Sequence, residues 1–206
     1  MIKNIIFDMG SVLIRFDKKL FIERTGVTDE ADKALLMREV FNSLEWARMD
    51  RGSLTDEEAA DIICARVPER LHDAARKLVA FWDRPILEIK GMYELIEELK
   101  GMGYGIYLLS NASLRQHDYW GRIPASKFFD GTLISADVKL VKPQPEIFLL
   151  LCQQFSLRQE ECFFIDDSIN NIEGAFLCGI RGAVFHGDAG EMRQKLNEAG
   201  VSVRLE

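Results

Sequence analysis

The 206-residue chain predicts an α/β fold, a doubly wound parallel sheet with a block of helices inserted after its first strand. Three observations carry that expectation. The first apolar run, Ile5-Ile6-Phe7, is β-branched and aromatic and ends in a Gly-Ser break, as in a strand buried on both faces. From residue 92 onward, similar short runs alternate with amphipathic stretches, the signature of a parallel sheet. Between them, Arg15 to Arg84 is helical in texture throughout.

The first strand drives straight into Asp8, which therefore stands at the rim where open α/β sheets bind ligands. In the inserted block, Lys18–Arg24, Asp29–Leu44, Thr55–Val67 and Glu69–Phe81 carry apolar residues at helical spacing. Thr55 with Glu58 predicts a capping box. Trp46 and Trp82 fall on these helices and read as core, although Trp46 with Arg51-Gly52 could line a cap face over the site. Arg84-Pro85 closes the insertion, and Met92–Lys100 forms a helix ended by Gly101 and Gly103. Gly105–Leu109 is a strand running into Ser110-Asn111, and a loop and helix with Tyr119, Trp120 and Phe128 follow. Gly131–Ser135 is a short strand, and Pro145–Phe155 a helix that its proline can start. Cys162–Ile165 is a strand ending in Asp166-Asp167; helix Ile172–Leu177 and strand Gly182–Phe185 complete the sheet. The expected division is 1–14 with 85–206 as core and 15–84 as cap.

With 48% apolar and 29% charged residues, the composition is that of an ordinary globular protein. A formal charge of −7 without a basic stripe argues against nucleic acid as a partner. A small anion remains compatible, since a few focused cations in a cleft outweigh a mildly acidic surface. No apolar run reaches the length that crosses a bilayer. Cys64, Cys152, Cys162 and Cys178 are scattered without a Cys-x-x-Cys pair and read as reduced, buried thiols. With no signal-like N-terminus, they predict a cytoplasmic protein. The chain is expected to be a monomer or weak dimer. His72, His117 and His186 have no metal-ligand spacing and are expected at the surface or in loops.

In a parallel sheet, strand ends far apart in sequence converge on one crevice. Here they bring Asp8, Ser110-Asn111, Lys142 and Asp166-Asp167. Three carboxylates aimed at one spot require a cation, and oxygen-only donors favour a hard ion such as Mg²⁺. The small Gly10 lets its carbonyl approach the same ion. Lys142, Ser110 and Asn111 are donors suited to phosphoryl oxygens. Asp8 can then attack phosphorus and carry the phosphoryl group until water removes it. Lys139 rivals Lys142, but only Lys142 precedes a proline, which holds the backbone before it extended.

The segments Asp8-Met-Gly10-Ser-Val12, Leu109-Ser110-Asn111, Lys142-Pro143 and Phe164-Ile-Asp166-Asp167-Ser-Ile-Asn-Asn171 resemble the four ordered motifs of the haloacid dehalogenase-like hydrolase superfamily. The resemblance covers essentially the whole chain. It implies a Rossmann-like core, a helical cap and Mg²⁺-dependent phosphatase chemistry on small phosphorylated metabolites. It assigns Asp8 as nucleophile and metal ligand, the Gly10 carbonyl and Asp166-Asp167 as metal ligands, and Ser110 with Asn111 as phosphate contacts. Lys142 matches the lysine that neutralises nucleophile and phosphate, and Asn171 a residue that positions the fourth motif. The pattern departs at Gly10, where most phosphatases of the superfamily carry a second aspartate as general acid and base. The Asp-x-Gly-x-Val form with a short cap is similar to the branch that includes a bacterial glucose 1-phosphate phosphatase, which implies sugar phosphates as substrates. A 2-haloacid dehalogenase, which needs no Mg²⁺, is the enzymatic alternative; a non-catalytic regulator on the same fold is the other.

Overall fold

The computed structural model describes residues 1–205. In chain order the elements are β1 (Asn4–Phe7), α1 (Lys18–Glu23), α2 (Glu30–Leu36), α3 (Leu44–Asp50), α4 (Asp56–Cys64), α5 (His72–Phe81) and α6 (Met92–Gly101). They continue as β2 (Gly105–Ser110), α7 (Gln116–Tyr119), β3 (Gly131–Ile134), α8 (Ser135–Val138), α9 (Pro145–Gln154), β4 (Cys162–Asp166), α10 (Ile169–Leu177), β5 (Arg181–Val184) and α11 (Ala189–Glu198).

The five strands form one parallel sheet in the order β3-β2-β1-β4-β5. The chain builds outward from β1 to β3, then returns to the other side of β1 for β4, so its direction reverses beside β1. Ligands of open α/β sheets bind at such reversals. Phe7 pairs with Leu108 on one side and Ile165 on the other, which sets Asp8 level with Leu109 and Asp166.

Side chains alternate across the sheet and fill two cores. Ile5, Phe7, Leu108, Phe163 and Ile165 face α6 and α11 through Leu95, Ile96, Met192 and Leu196. Ile6, Leu109 and Phe164 face α9 and α10 through Ile147, Phe148, Leu151 and Ala175. A third cluster belongs to the inserted helices, with Phe21, Leu36, Val40, Ile63, Leu71 and Leu78 at its centre. Trp82 packs against both this cluster and the α6 side of the sheet core.

The chain leaves the sheet and returns to it along neighbouring paths. Ile14 bridges Glu88 antiparallel, Arg15 N–H donates to the Leu87 carbonyl at 2.7 Å, and Ile89 N–H donates to the Leu13 carbonyl at 2.9 Å. Asp83, buried after α5, is held by the guanidinium groups of Arg115 and Arg122 from the segment after β2.

Four sequence expectations need correction. The helix expected over Asp29–Leu44 stops at Leu36 and widens into a π-helical turn, Met37–Phe41. Extended Ser43 then caps a separate helix, α3, its Oγ accepting from Trp46 N–H at 3.1 Å; serine favours this role because its side chain competes with helical backbone bonds. The last strand is Arg181–Val184 rather than Gly182–Phe185, and helix α11, capped by Asp188, follows it unanticipated. Cys178 is only half-buried because α10 ends there and its neighbours face outward, whereas the other three cysteines are buried; all four are free thiols. The Thr55–Glu58 capping box forms as expected.

Candidate active site

The tight turn that leaves β1 places Asp8. Leu13 and Ile14 N–H both donate to the Met9 carbonyl, and Ser11 takes the left-handed conformation, φ 58°, to close it. Asp8 N–H donates to the Ile165 carbonyl at 2.8 Å, locking the residue to β4. Lys142 enters from the loop after α8, one residue before a cis-proline. Its Nζ lies 2.7 Å from Asp8 Oδ1, 2.6 Å from Asp166 Oδ2 and 2.9 Å from the Leu109 carbonyl. Lys139 takes no part there and sits in a left-handed turn at the end of α8.

Asn111 ties Lys142 to β2. Its Oδ1 accepts from Lys142 N–H at 2.8 Å and its Nδ2 donates to the Lys142 carbonyl at 3.0 Å. Asp166, fully buried, has both oxygens engaged: Oδ1 by Ser168 N–H at 2.8 Å and Asn171 Nδ2 at 2.9 Å, Oδ2 by Lys142 and Asn171. Asp167 is exposed to the site, and Ser11 hydrogen-bonds its carboxylate.

Burial dominates the electrostatics. It pushes the Asp8 carboxyl up to about 7 against the pull of Lys142, and it raises Asp167 with help from Asp166. Burial also works against the charge of Lys142, but the Asp8 and Asp166 carboxylates overcome it and hold its ammonium above the ordinary lysine range.

One oxygen each from Asp8, Asp166 and Asp167 lie within 4.8 Å of one another. This all-oxygen set, crowded and only partly neutralised by Lys142, fits a hard divalent cation such as Mg²⁺. Gly10 lines the same cavity.

The cavity has a volume of about 220 Å³. Its floor is Asp8, Gly10, Asn111, Lys142 and Asp167, with Asn171 at the edge. Its walls come from the inserted helices and the segment after β2: Phe16, Trp46, Met49, Asp50, Val79 and Trp82, with Ala112, Ser113 and Tyr119. The rings form a continuous wall, with Phe16 5.0 Å from Trp82 and Trp82 5.4 Å from Tyr119, centroid to centroid. Trp46 and Trp82 thus do more than fill a core; each turns an edge to the cavity because the insertion folds back over the strand ends. Ser110 is buried at the end of β2 and is not among the lining residues. Sequence reasoning missed Asp50, Tyr119 and Ser113 as lining residues. The Asp50-Arg51-Gly52 break after an amphipathic stretch was the available signal for Asp50.

At its reversal the parallel sheet thus gathers a carboxylate, a buried lysine and an acid pair, which together make a candidate hydrolytic site. The model of the haloacid dehalogenase-like hydrolases matches residues 2–179, and the chain belongs to that family. It is similar to the sesquiterpene phosphatase astK of Aspergillus oryzae, 25% identical over 189 residues, covering 87% of this chain and 88% of that protein. It is 23% identical over 183 residues to the D-ribitol-5-phosphate phosphatase of Bacteroides thetaiotaomicron, covering 84% and 86%. Drimenol cyclase drtB of Aspergillus calidoustus is 26% identical over 97% of this chain, which spans only 37% of that protein's length. Among solved structures, the haloacid dehalogenase family enzyme bt-2542 of Bacteroides thetaiotaomicron superposes with a TM-score of 0.74 at 25% identity, covering 95% of this chain and 98% of that one. The same enzyme has been solved in complex with magnesium and inorganic phosphate.

Proposed function

We propose that the chain is a Mg²⁺-dependent phosphatase that hydrolyses small phosphorylated metabolites, sugar phosphates among them, through a phosphoryl group carried on Asp8. The observation that carries this reading is the meeting of Asp8 with Lys142 and the Asp166-Asp167 pair at one cavity, Asp166 buried just behind its lining. The relatives named as phosphatases support the reaction class, a phosphoric monoester hydrolase. The acid trio favours this reading over a metal-free dehalogenase.

In the mechanism, Lys142 fixes Asp8 by its Oδ1 and supplies positive charge beside the transferred group. Its three ammonium protons are already donated, so its contribution is charge and orientation. Phosphate contact falls to Asn111, the member of the Ser110-Asn111 pair that lines the cavity. Asp8, the Gly10 carbonyl and Asp167 would hold the ion directly, while Asp166, saturated by Lys142, Asn171 and Ser168, orients the set. The ion supplies charge neutralisation of the phosphoryl oxygens when bound. Residues 15–84 act as a cap whose aromatic wall excludes water and receives the rest of the substrate.

The test is phosphate release from a panel spanning sugar, polyol, aryl and prenyl monophosphates, with Mg²⁺ and with chelator, for the native chain and Asp8→Asn. Turnover that requires Mg²⁺ and vanishes in Asp8→Asn is expected. Metal-independent turnover, or activity retained by Asp8→Asn, sinks the reading.

A further inference from the structure

We propose that Asp50, the last residue of α3, is the proton donor and acceptor of this site, serving the departing ester oxygen and then the attacking water. The inference rests on the phosphatase reading above. Gly10 stands two residues after Asp8, where a second carboxyl would perform this work, and an alkoxide that leaves unprotonated is a poor leaving group.

Three carboxyls line the cavity among the described residues: Asp8, Asp167 and Asp50. The first two belong to the acid trio, whereas Asp50 comes from the inserted helices. The other proton carriers do not suit the task. Lys142 has spent its donors on Asp8, Asp166 and Leu109, and burial followed by Asp83 drives the Tyr119 hydroxyl far above neutrality. The hydroxyls of Ser11 and Ser113 are weaker acids still.

Helix stability does not explain an aspartate at this position. A negative charge at the C-terminal end of a helix opposes its dipole. Asp56 from α4 and Asp8 from the floor also face it, and Lys18 from α1 and Lys142 offset them only in part. Burial, then Asp56, pushes the carboxyl up to about 8, so it carries a proton at neutral pH.

The backbone around Asp50 is fixed to the sheet. Ser135, fully buried at the end of β3, donates its hydroxyl to the Asp50 carbonyl and accepts from Ala112 N–H at 2.9 Å. Gly52, at φ +71°, packs where a Cβ would strike the Ala136 carbonyl. The Asp50–Gly52 turn is therefore docked on the start of α8, and through Ser135 it is tied to Ala112, the residue after Asn111.

In the first step an Asp8 oxygen forms a bond to phosphorus, the P–OR bond breaks, and its electron pair takes the Asp50 proton, releasing the alcohol. In the second, the Asp50 carboxylate takes a proton from water as the water oxygen bonds phosphorus. The bond from Asp8 to phosphorus breaks, and phosphate leaves with both carboxyls restored.

The experiment measures kcat/KM, which covers all steps through alcohol departure, for a series of phosphomonoesters of graded leaving-group acidity. Native protein, Asp50→Asn, Asp50→Glu and Asp8→Asn are compared, with folding checked by circular dichroism. Asp50→Asn is expected to lose about 10²–10⁴-fold on alkyl phosphates and little on p-nitrophenyl phosphate, where no proton is needed. Asp50→Glu should recover part of the alkyl activity. An equal loss on both ester types, or no loss on either, overturns the assignment of Asp50 alone. A silent native protein, or an active Asp8→Asn, overturns the phosphatase reading and the assignment with it.

Discussion

Lys142 donates all three of its ammonium protons inside the protein, which makes it a structural keystone as well as a charge. Replacing it by methionine leaves Asp8 and Asp166 facing each other in a buried site, at a cost of about 3–5 kcal/mol. A lower urea midpoint in the metal-free variant checks this; an unchanged midpoint contradicts it. The second residue-level prediction concerns pH. Asp50 holds its proton up to about 8 in the folded chain against an ordinary value of 3.8, and Asp8 up to about 7. The folded state thus binds more protons than the unfolded state between these limits. Stability is fullest near pH 4 and is lost as pH rises toward 8, by at most about 1.4 kcal/mol per unit for each group. Denaturant midpoints of the metal-free protein across this range should fall, and Asp50→Asn should flatten the slope. At this scale much of the site was legible in the sequence: Asp8, Asn111, Asp166 and Asp167 each sit at or just past a strand end, so topology brings them together, and Lys142, in the loop after α8, was marked by the proline that follows it. Asp50 and Trp82 were not, and Trp46 was readable only as an alternative to a core role, because which side of an inserted helix faces the site depends on how the insertion folds back.

The turn after α3 shows what an element contributes beyond its own hydrogen bonds. Gly52→Ala places a methyl group against the Ala136 carbonyl at a positive φ, with an expected loss of about 1–3 kcal/mol and a fall in kcat/KM as Asp50 shifts. Thr55→Ala, three residues on, removes the α4 cap for about 1 kcal/mol and should leave kcat/KM unchanged, since that capping box lies on the exposed side. Thermal melts with parallel kinetics separate the two. The capping box was readable because its residue types are specific to helix starts. The break between α2 and α3 was not, because Leu36, Val40 and Phe41 keep an apolar helical rhythm through the π turn that interrupts it.

Across the whole molecule, the helical cluster meets the α6 side of the sheet core at Trp82, next to buried Asp83. Asp83→Ala removes the buried carboxylate that Arg115 and Arg122 share, leaving Arg115 with Asp56 at 3.5 Å and Arg122 to solvent. It should destabilise the protein by about 1–3 kcal/mol, whereas removing the exposed Asp73–Lys77 pair should barely register in the same urea titration. Strand and helix types followed from periodicity, but the order β3-β2-β1-β4-β5 is a property of packing that no local pattern encodes.

The outgoing and returning paths between sheet and helices are laced together at Ile14 and Glu88. Two strands of chain joined side by side restrict how the helical layer moves over the sheet, and Ser135 holds the Asp50 backbone on the sheet side of that joint. Asp8 and Asp50 thus share one frame, so nucleophile and proton donor would keep their spacing however the far helices shift.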